Sequence, residues 1–409
     1  MWKCPKKHSL PYSNTTKTNK EDGPEGVRFF RRFYEKANGH IHSRALLRKK
    51  CDYCDFYSLA KKGDGDFDDY VESLSKEIDL YEDILSARKV STVFFGGGTP
   101  SLLGTDRLLR IMEKLRPHLG EAKEITMEGN PESVLRLDVA ALIDAGFNRF
   151  SMGVQSESDK LLNIMGRIHD VKTAEAAFHH LRKGGAKNIN LDFISSVPSE
   201  TMEDVAASLA MIEKLNPEHV SLYSLIVEPG TAFYRRYGKG MEEREEADRI
   251  HVHAYERGLA AMGYRQYEIS NFEKGGHPCA HNLNYWHLGE YLGLGPGASG
   301  HMDGRRVKNI ESLPTYKEAL ASGRAPIAEE EHLSDTDRDN EYTMLALRLN
   351  EGISLKAPLP SGESFEAVHK EAMEKNLRSG LLTVIDDRLV LTEKGRDLAN
   401  RVELDFFRL

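Results

Sequence analysis

The chain has 409 residues, 40% of them hydrophobic, four cysteines and a formal net charge of −8. This is an ordinary globular composition, long enough to bury a large core, and it excludes a disordered chain and a disulfide-dense secreted scaffold. No stretch of about 18 apolar residues is present, and the first residues lack the apolar centre of a signal peptide. The expectation is a soluble, cytoplasmic protein in a reducing compartment, with a mitochondrial setting as the alternative for a eukaryotic source.

Charge is uneven along the chain. Residues 1–50 hold 13 Lys and Arg against 4 Asp and Glu, a local net of +9 that leaves −17 on the remainder. A basic arm on an acidic body reads as a solvated tail, a contact for an anionic partner, or a segment foreign to the domain. The acidic body would repel phosphate, so no nucleic-acid partner is expected. Glu21, Asp22, Glu25 and Glu35 argue against an organelle transit peptide.

From residue 51 the elements follow in order. Cys51-Asp52-Tyr53-Cys54-Asp55-Phe56 contains a C-x-x-C pair. In a reducing compartment such a pair marks a metal, cluster or redox site, or else two buried thiols. Ser91–Phe95 is a β-rich run stopped by Gly96-Gly97-Gly98-Thr99-Pro100-Ser101. Three glycines bring backbone N–H groups close to a ligand, or simply make a tight turn. The spacing does not fit a phosphate-binding P-loop. A helix is predicted over 105–119, a strand over 123–127 ending at Glu128-Gly129-Asn130-Pro131, and a helix over 135–145. Further strands are predicted over 148–152, 188–193 and 219–225.

Strand, loop and helix thus recur across 91–225, as in parallel strands with crossover helices. Polar residues stand at or near successive strand ends: Glu128, Gln155, then Arg167 and His169, and Asp192. Singly, each reads equally well as a cap or a satisfied core group. Together they suit a ligand with an amino-acid part and a ribose part, because carboxylates bind hydroxyls or ammonium and arginine clamps carboxylate. Beyond 340 the pattern changes. Helices over 341–349 and 365–379 precede a hairpin over 381–391 turning at Asp386-Asp387, and Thr392 opens a last helix. Helices followed by a small hairpin suggest a winged-helix-like module, or a plain structural appendage.

These residues carry a resemblance. RKKCDYCDFYS from Arg48 resembles the cluster loop of radical S-adenosylmethionine (SAM) proteins, and in particular the HemW group of heme chaperones, relatives of the oxygen-independent coproporphyrinogen dehydrogenase HemN. GGGTPSLL from Gly96, MEGNPES from Met127, RFSMGVQSESDKLLNIMGRIHD from Arg149, LDFISSVPSET from Leu191, SLYSLIVEPGT from Ser221, HNLNYW from His281 and GLGPGA from Gly293 agree with it in order. It implies an α/β fold, a radical SAM partial (β/α) barrel with a C-terminal winged-helix-like domain. The segments would be a divergent basic 1–47, a core with HemN-like extension over 48–320, and the C-terminal domain over 321–409.

The same resemblance implies roles. Cys51 and Cys54 would ligate a [4Fe–4S] cluster, and Phe56 would pack on the SAM adenine. Gly97, Gly98 and Thr99 would line its methionine part, and Glu128, Gln155, Arg167 and Asp192 would contact SAM. His281, Asn282, Tyr285 and Trp286 would serve heme, since a neutral imidazole suits iron and the aromatic rings offer flat faces for a macrocycle; a buried aromatic cluster around a satisfied histidine is the alternative. The partners implied are heme, a heme-acceptor protein that could be membrane-associated, and an electron donor if the cluster is redox-active. In HemN the cluster cysteines are followed by Gly and a further Cys; here Asp55-Phe56 follow, as in HemW. A porphyrinogen-oxidising radical enzyme is the second reading.

One departure stands out. The family's cluster motif is C-x3-C-x2-C, and Leu47 occupies the first cysteine position. Ile41 stands where the family has a tyrosine near SAM. The agreement is abrupt from Arg48 and absent before it, which favours a foreign reading frame over a genuine loss of cluster chemistry. The first barrel strand is expected to be missing along with that segment.

Overall fold

The computed structural model describes residues 51–53, 65–120, 122–238 and 245–408, and the backbone of 38–44. Its core sheet begins with β1 (Asn38–Arg44) and continues with β2 (Lys89–Gly96), β3 (Glu124–Gly129), β4 (Arg149–Gln155), β5 (Ile189–Ser195) and β6 (His219–Ser224). Then come β7 (Arg265–Glu268), β8 (Asn271–Glu273) and β9 (Leu292–Leu294). The order across the sheet is β7-β8-β6-β5-β4-β3-β2-β1-β9. The strands β1 to β6 are parallel neighbours in chain order, the arrangement of a partial (β/α) barrel.

The presence of β1 corrects an expectation. The slot of the first barrel strand is filled by Asn38–Arg44, pairing in parallel with both β2 and β9. The ladder is made of backbone groups, so a segment with a different sequence can complete it.

Alternation along the strands explains the two sides of the sheet. Val93, Phe95, Ile125, Met127, Phe150, Met152, Leu191 and Phe193 share one apolar core with helices Thr105–Leu115, Val171–Lys183 and Met202–Leu215. The intervening residues Thr92, Glu124, Arg149, Ser151, Asn190 and His219 are polar, and they too are buried. The helices therefore cover one face, and the other face is a polar lumen. Truncating Phe150, which is 1% exposed, would cost about 3–5 kcal/mol.

Two predicted helices are shorter than their pattern. The one expected over 105–119 ends at Leu115, and Arg116–His118 forms a 3-10 turn, because Pro117 has no N–H to continue the ladder. The one expected over 135–145 becomes Pro131–Val134 and Val139–Asp144. Asp138 divides them by accepting the Ala141 N–H at 3.0 Å, an N-cap.

Beyond the core sheet, β10 (Ser299–Met302), β11 (Arg305–Asn309) and β12 (Ile327–His332) form an antiparallel sheet that the sequence reading did not anticipate. The last sheet contains β13 (Ile353–Ser354), β14 (Leu382–Ile385) and β15 (Arg388–Leu391). With helices Asp335–Leu347 and Phe365–Arg378 it encloses a second core, the winged-helix-like arrangement. The β14–β15 turn falls at Asp386 and Asp387, whose φ values are 48° and 60°. A two-residue hairpin turn of this hand needs positive φ at both positions, and aspartate tolerates it. Among the described residues no helix is long and apolar enough to cross a membrane.

Candidate functional site

The carboxyl ends of β2, β3 and β4 assemble one polar cluster. Gly97 has φ 93°, a conformation glycine adopts freely, and its N–H donates to Glu128 Oε2 at 3.0 Å. Asn130 Nδ2 donates to Thr99 Oγ1 at 3.2 Å. Arg167 Nη2 donates to Asn130 Oδ1 at 2.7 Å and to the Gly153 carbonyl at 2.9 Å, while Nη1 lies 3.3 Å from Cys51 Sγ. Gln155 has φ 73°. A Cβ on Gly153 would fall 2.5 Å from Gln155 Nε2 and 3.2 Å from Arg167 Nη2, so the two side chains close over that glycine. Burial works against the Arg167 charge, but Tyr53 and Cys51 outweigh it and the pKa is raised.

Cys51, Thr99 and Arg167 line a cleft with Leu102, Asn130, Glu132, Gly166 and Ile168. Glu132 adds a feature the sequence reading missed. Its Oε2 is buried without a hydrogen bond, 3.8 Å from His169 Nδ1, which is equally unpartnered. His169 Nε2 meets the Val154 carbonyl at 3.1 Å and so carries the ring proton. Burial first, then Arg167, pushes the His169 pKa down to about 4. The ring is neutral, and two buried acceptors face each other behind the cleft wall.

Asp192 lies apart from this cluster, inside the lumen. It accepts from Asn190 Nδ2 at 2.7 Å and from Ser151 Oγ at 3.3 Å, and burial raises its pKa. The network runs on. His219 Nδ1 donates to Asn190 Oδ1 at 2.6 Å, which leaves Nε2 to accept the Tyr267 O–H at 2.8 Å. Tyr267 Oη in turn accepts the Cys279 N–H at 3.1 Å.

Cys279 precedes helix Ala280–Trp286, which carries the second predicted group. Glu124 on β3 anchors its start, accepting the Ala280 and His281 N–H groups, both at 3.0 Å. A carboxylate is favourable at that end of a helix. His281 is fully buried and stacks on Phe94, 4.9 Å between centroids at 20°. Its Nδ1 meets Thr92 Oγ1 at 2.7 Å and its Nε2 meets Tyr285 Oη at 2.8 Å. Both ring nitrogens are thus engaged by hydroxyls. Tyr285 stands edge-on to His281 and to Tyr291. Trp286 keeps a buried, unpartnered indole N–H beneath the Arg348 guanidinium. Burial and Glu124 push the Cys279 thiol up to about 12, so it is no thiolate ligand.

The structure therefore brings Cys51, Gly97, Thr99, Glu128, Gln155 and Arg167 to one rim. It gathers His281, Tyr285 and Trp286 on one short helix. Gly98 is half-buried beside Gly97, and Asn282 is half-buried on that helix. Cys54 and Phe56 lie outside the described residues. Glu132, Glu124 and Arg348 were not singled out from sequence. Asn130 reads from sequence only as a strand stop.

Comparison with known proteins fits this geometry. The Radical SAM superfamily model matches residues 48–212, and that of the HemN C-terminal domain matches residues 333–398. Heme chaperone HemW of Mycobacterium tuberculosis is 37% identical over 360 residues, covering 86% of this chain and 90% of the relative. Heme chaperone HemW of Escherichia coli is 34% identical, covering 86% and 93%. The solved structure of Escherichia coli HemN, described as coproporphyrinogen III oxidase and a radical SAM enzyme, superimposes with a TM-score of 0.76. It covers 94% of both chains at 22% identity, a likeness of fold. Fold and rim define a radical SAM protein. Within that class the chain belongs to the HemW family of heme chaperones.

The residues fit the implied groups unequally. For SAM the residue types fit: a glycine turn, the Glu128 and Glu132 carboxylates and a buried arginine meet at one rim. For a [4Fe–4S] cluster the sequence offers Cys51 and Cys54, with Leu47 at the first cysteine position, one thiolate short of a three-cysteine set. For heme, Tyr285 and Trp286 offer aromatic faces, whereas His281 has no ring nitrogen to spare.

Proposed function

We propose that the chain is a cytoplasmic heme chaperone. It would bind heme at the His281–Trp286 segment and pass it to an acceptor protein, soluble or membrane-associated. The observation that carries this reading is the 37% identity to a heme chaperone across 86% of the chain, together with an intact HNxxYW helix held against the lumen. HemN shares the fold at 22% identity, and that leaves porphyrinogen oxidation without support of its own.

In this reading Tyr285 and Trp286 supply the flat faces for the macrocycle. His281 acts as a post, its 2.8 Å contact fixing the Tyr285 hydroxyl. An axial role for His281 would require releasing Thr92 or Tyr285. At the rim, Gly97, Gly98, Thr99, Glu128, Gln155 and Arg167 would hold SAM. Asp192 would reach it from the lumen once freed from Ser151 and Asn190. A complete cluster in such a protein would supply an electron to the SAM sulfonium; the donor set of this chain is one thiolate short of it. Arg167 keeps the Cys51 sulfur beside a fixed positive charge.

The test is a hemin titration of the purified chain. A saturable Soret band with transfer of heme to apo-acceptor supports the reading. No saturable band, or conversion of coproporphyrinogen under anaerobic reducing conditions, refutes it.

A further inference from the structure

Trp286 is gripped from the C-terminal domain. Arg348 follows helix Asp335–Leu347, and its guanidinium carbon lies 4.8 Å from the centroid of the Trp286 ring. Arg348 Nη2 is 3.8 Å from Glu268 Oε2. Glu268 is fully buried on β7, and its other oxygen accepts the Ser270 N–H at 3.0 Å and the Asn271 amide. The residues after Arg348 are fastened to the same strand. Leu349 bridges Glu268, the Asn350 N–H donates to the Tyr267 carbonyl at 3.0 Å, and its side-chain amide donates to the Gln266 carbonyl at 2.8 Å. On the other side His287 meets Glu351 at 2.8 Å.

This arrangement is more than packing requires. A buried guanidinium is costly, and an apolar side chain would fill the space as well. Arg348 Nε and Trp286 Nε1 are both buried without a partner. The guanidinium is therefore held by the ring face and the Glu268 charge rather than by a full set of hydrogen bonds. A cation above a desolvated indole fixes the plane of the ring.

We propose that Arg348 is a positioning residue for Trp286, so that the C-terminal domain sets the heme affinity of the His281–Trp286 segment. This rests on the heme reading above and assigns the C-terminal domain a part in it.

The test uses the full chain carrying Trp2→Phe, which leaves Trp286 as the one indole. Hemin affinity, Trp286 emission and thermal melting are measured for this chain and for Arg348→Gln and Arg348→Lys. Arg348→Gln should shift the emission maximum and weaken hemin binding about three- to tenfold. Arg348→Lys should recover part of that loss, since charge is kept but the planar fork is not. A folded Arg348→Gln protein that binds hemin within about twofold of the parent overturns the proposal. If that variant does not fold, Glu268→Gln is read instead: weaker hemin binding supports the proposal, and unchanged binding overturns it. A parent chain that binds no hemin refutes the heme reading, an outcome distinct from either.

Discussion

Glu77 gives the chain a built-in dependence of stability on pH. It is fully buried on helix Gly65–Leu80. Its Oε2 accepts the Gly295 N–H at 2.6 Å and the Tyr316 hydroxyl, and its Oε1 accepts the Asn309 amide at 2.6 Å. One carboxylate thus ties the first core helix to the GLGPGA loop, to β11 and to helix Leu313–Ala321. Burial raises its pKa from 4.5 to about 7, against the pull of the three hydrogen bonds. The folded pKa lies above the unfolded one, so the folded chain holds a proton that the unfolded chain has released. The contribution is complete below pH 4.5 and is lost as pH rises through about 7. A shift of this size corresponds to roughly 3 kcal/mol. Glu77→Gln is neutral at every pH and removes the dependence while nearly keeping the volume. Urea unfolding of both chains at about pH 5 and about pH 8 measures it, and the comparison cancels other titrating groups. The wild-type chain should lose roughly 2.5 kcal/mol more than the variant over that interval, since pH 5 already lies above the unfolded pKa. Parallel pH profiles for the two chains would refute the reasoning.

Three more outcomes are expected. His169, with its pKa pushed down to about 4 from 6.5, has the opposite sign: its contribution is full above 6.5 and disappears as pH falls through about 4. His169→Gln should flatten that acid limb in thermal melts, and an unchanged limb would count against a neutral buried ring. His281→Ala should destabilise the chain by about 3 kcal/mol through lost packing and buried hydrogen bonds, read by urea unfolding. In the folded fraction the Soret maximum should keep its position, and a displaced maximum would put His281 on the iron. Gly153→Ala should weaken SAM binding severalfold by calorimetry with little change in melting temperature. The added methyl meets the ends of the Gln155, Arg167 and Asn130 side chains and no backbone; a large drop in melting temperature would contradict that.

Much of this protein was readable from local pattern. Strands β2 to β6 were marked by short β-rich runs, the first two stopped by glycine, asparagine or proline. The Asp386-Asp387 turn was marked by residues that tolerate positive φ. The ordered blocks from Arg48 onward carried the family. These features depend on neighbours a few residues away, and sequence records such neighbours directly. The early end of the helix at Leu115 was legible as well, in Pro117, but the apolar pattern that continues to Leu119 obscured it.

Contacts between distant residues were decided by the fold alone. Glu124 caps a helix 157 residues further along at His281, and Glu77 meets Gly295 across 218 residues. Nothing near Glu124 or Glu77 in sequence distinguishes them from exposed carboxylates. His281 was legible as a chemically capable residue, but its use was not, because Thr92 and Tyr285 reach its two nitrogens only once β2 and the short helix are packed. Sequence likewise gave no reason to join Arg348 to Trp286, since they belong to different domains. The strand at Asn38–Arg44 makes the same point from the other direction. A family motif is a statement about side chains, whereas a place in the sheet is won by backbone hydrogen bonds. A segment that has lost the motif can therefore still complete the sheet.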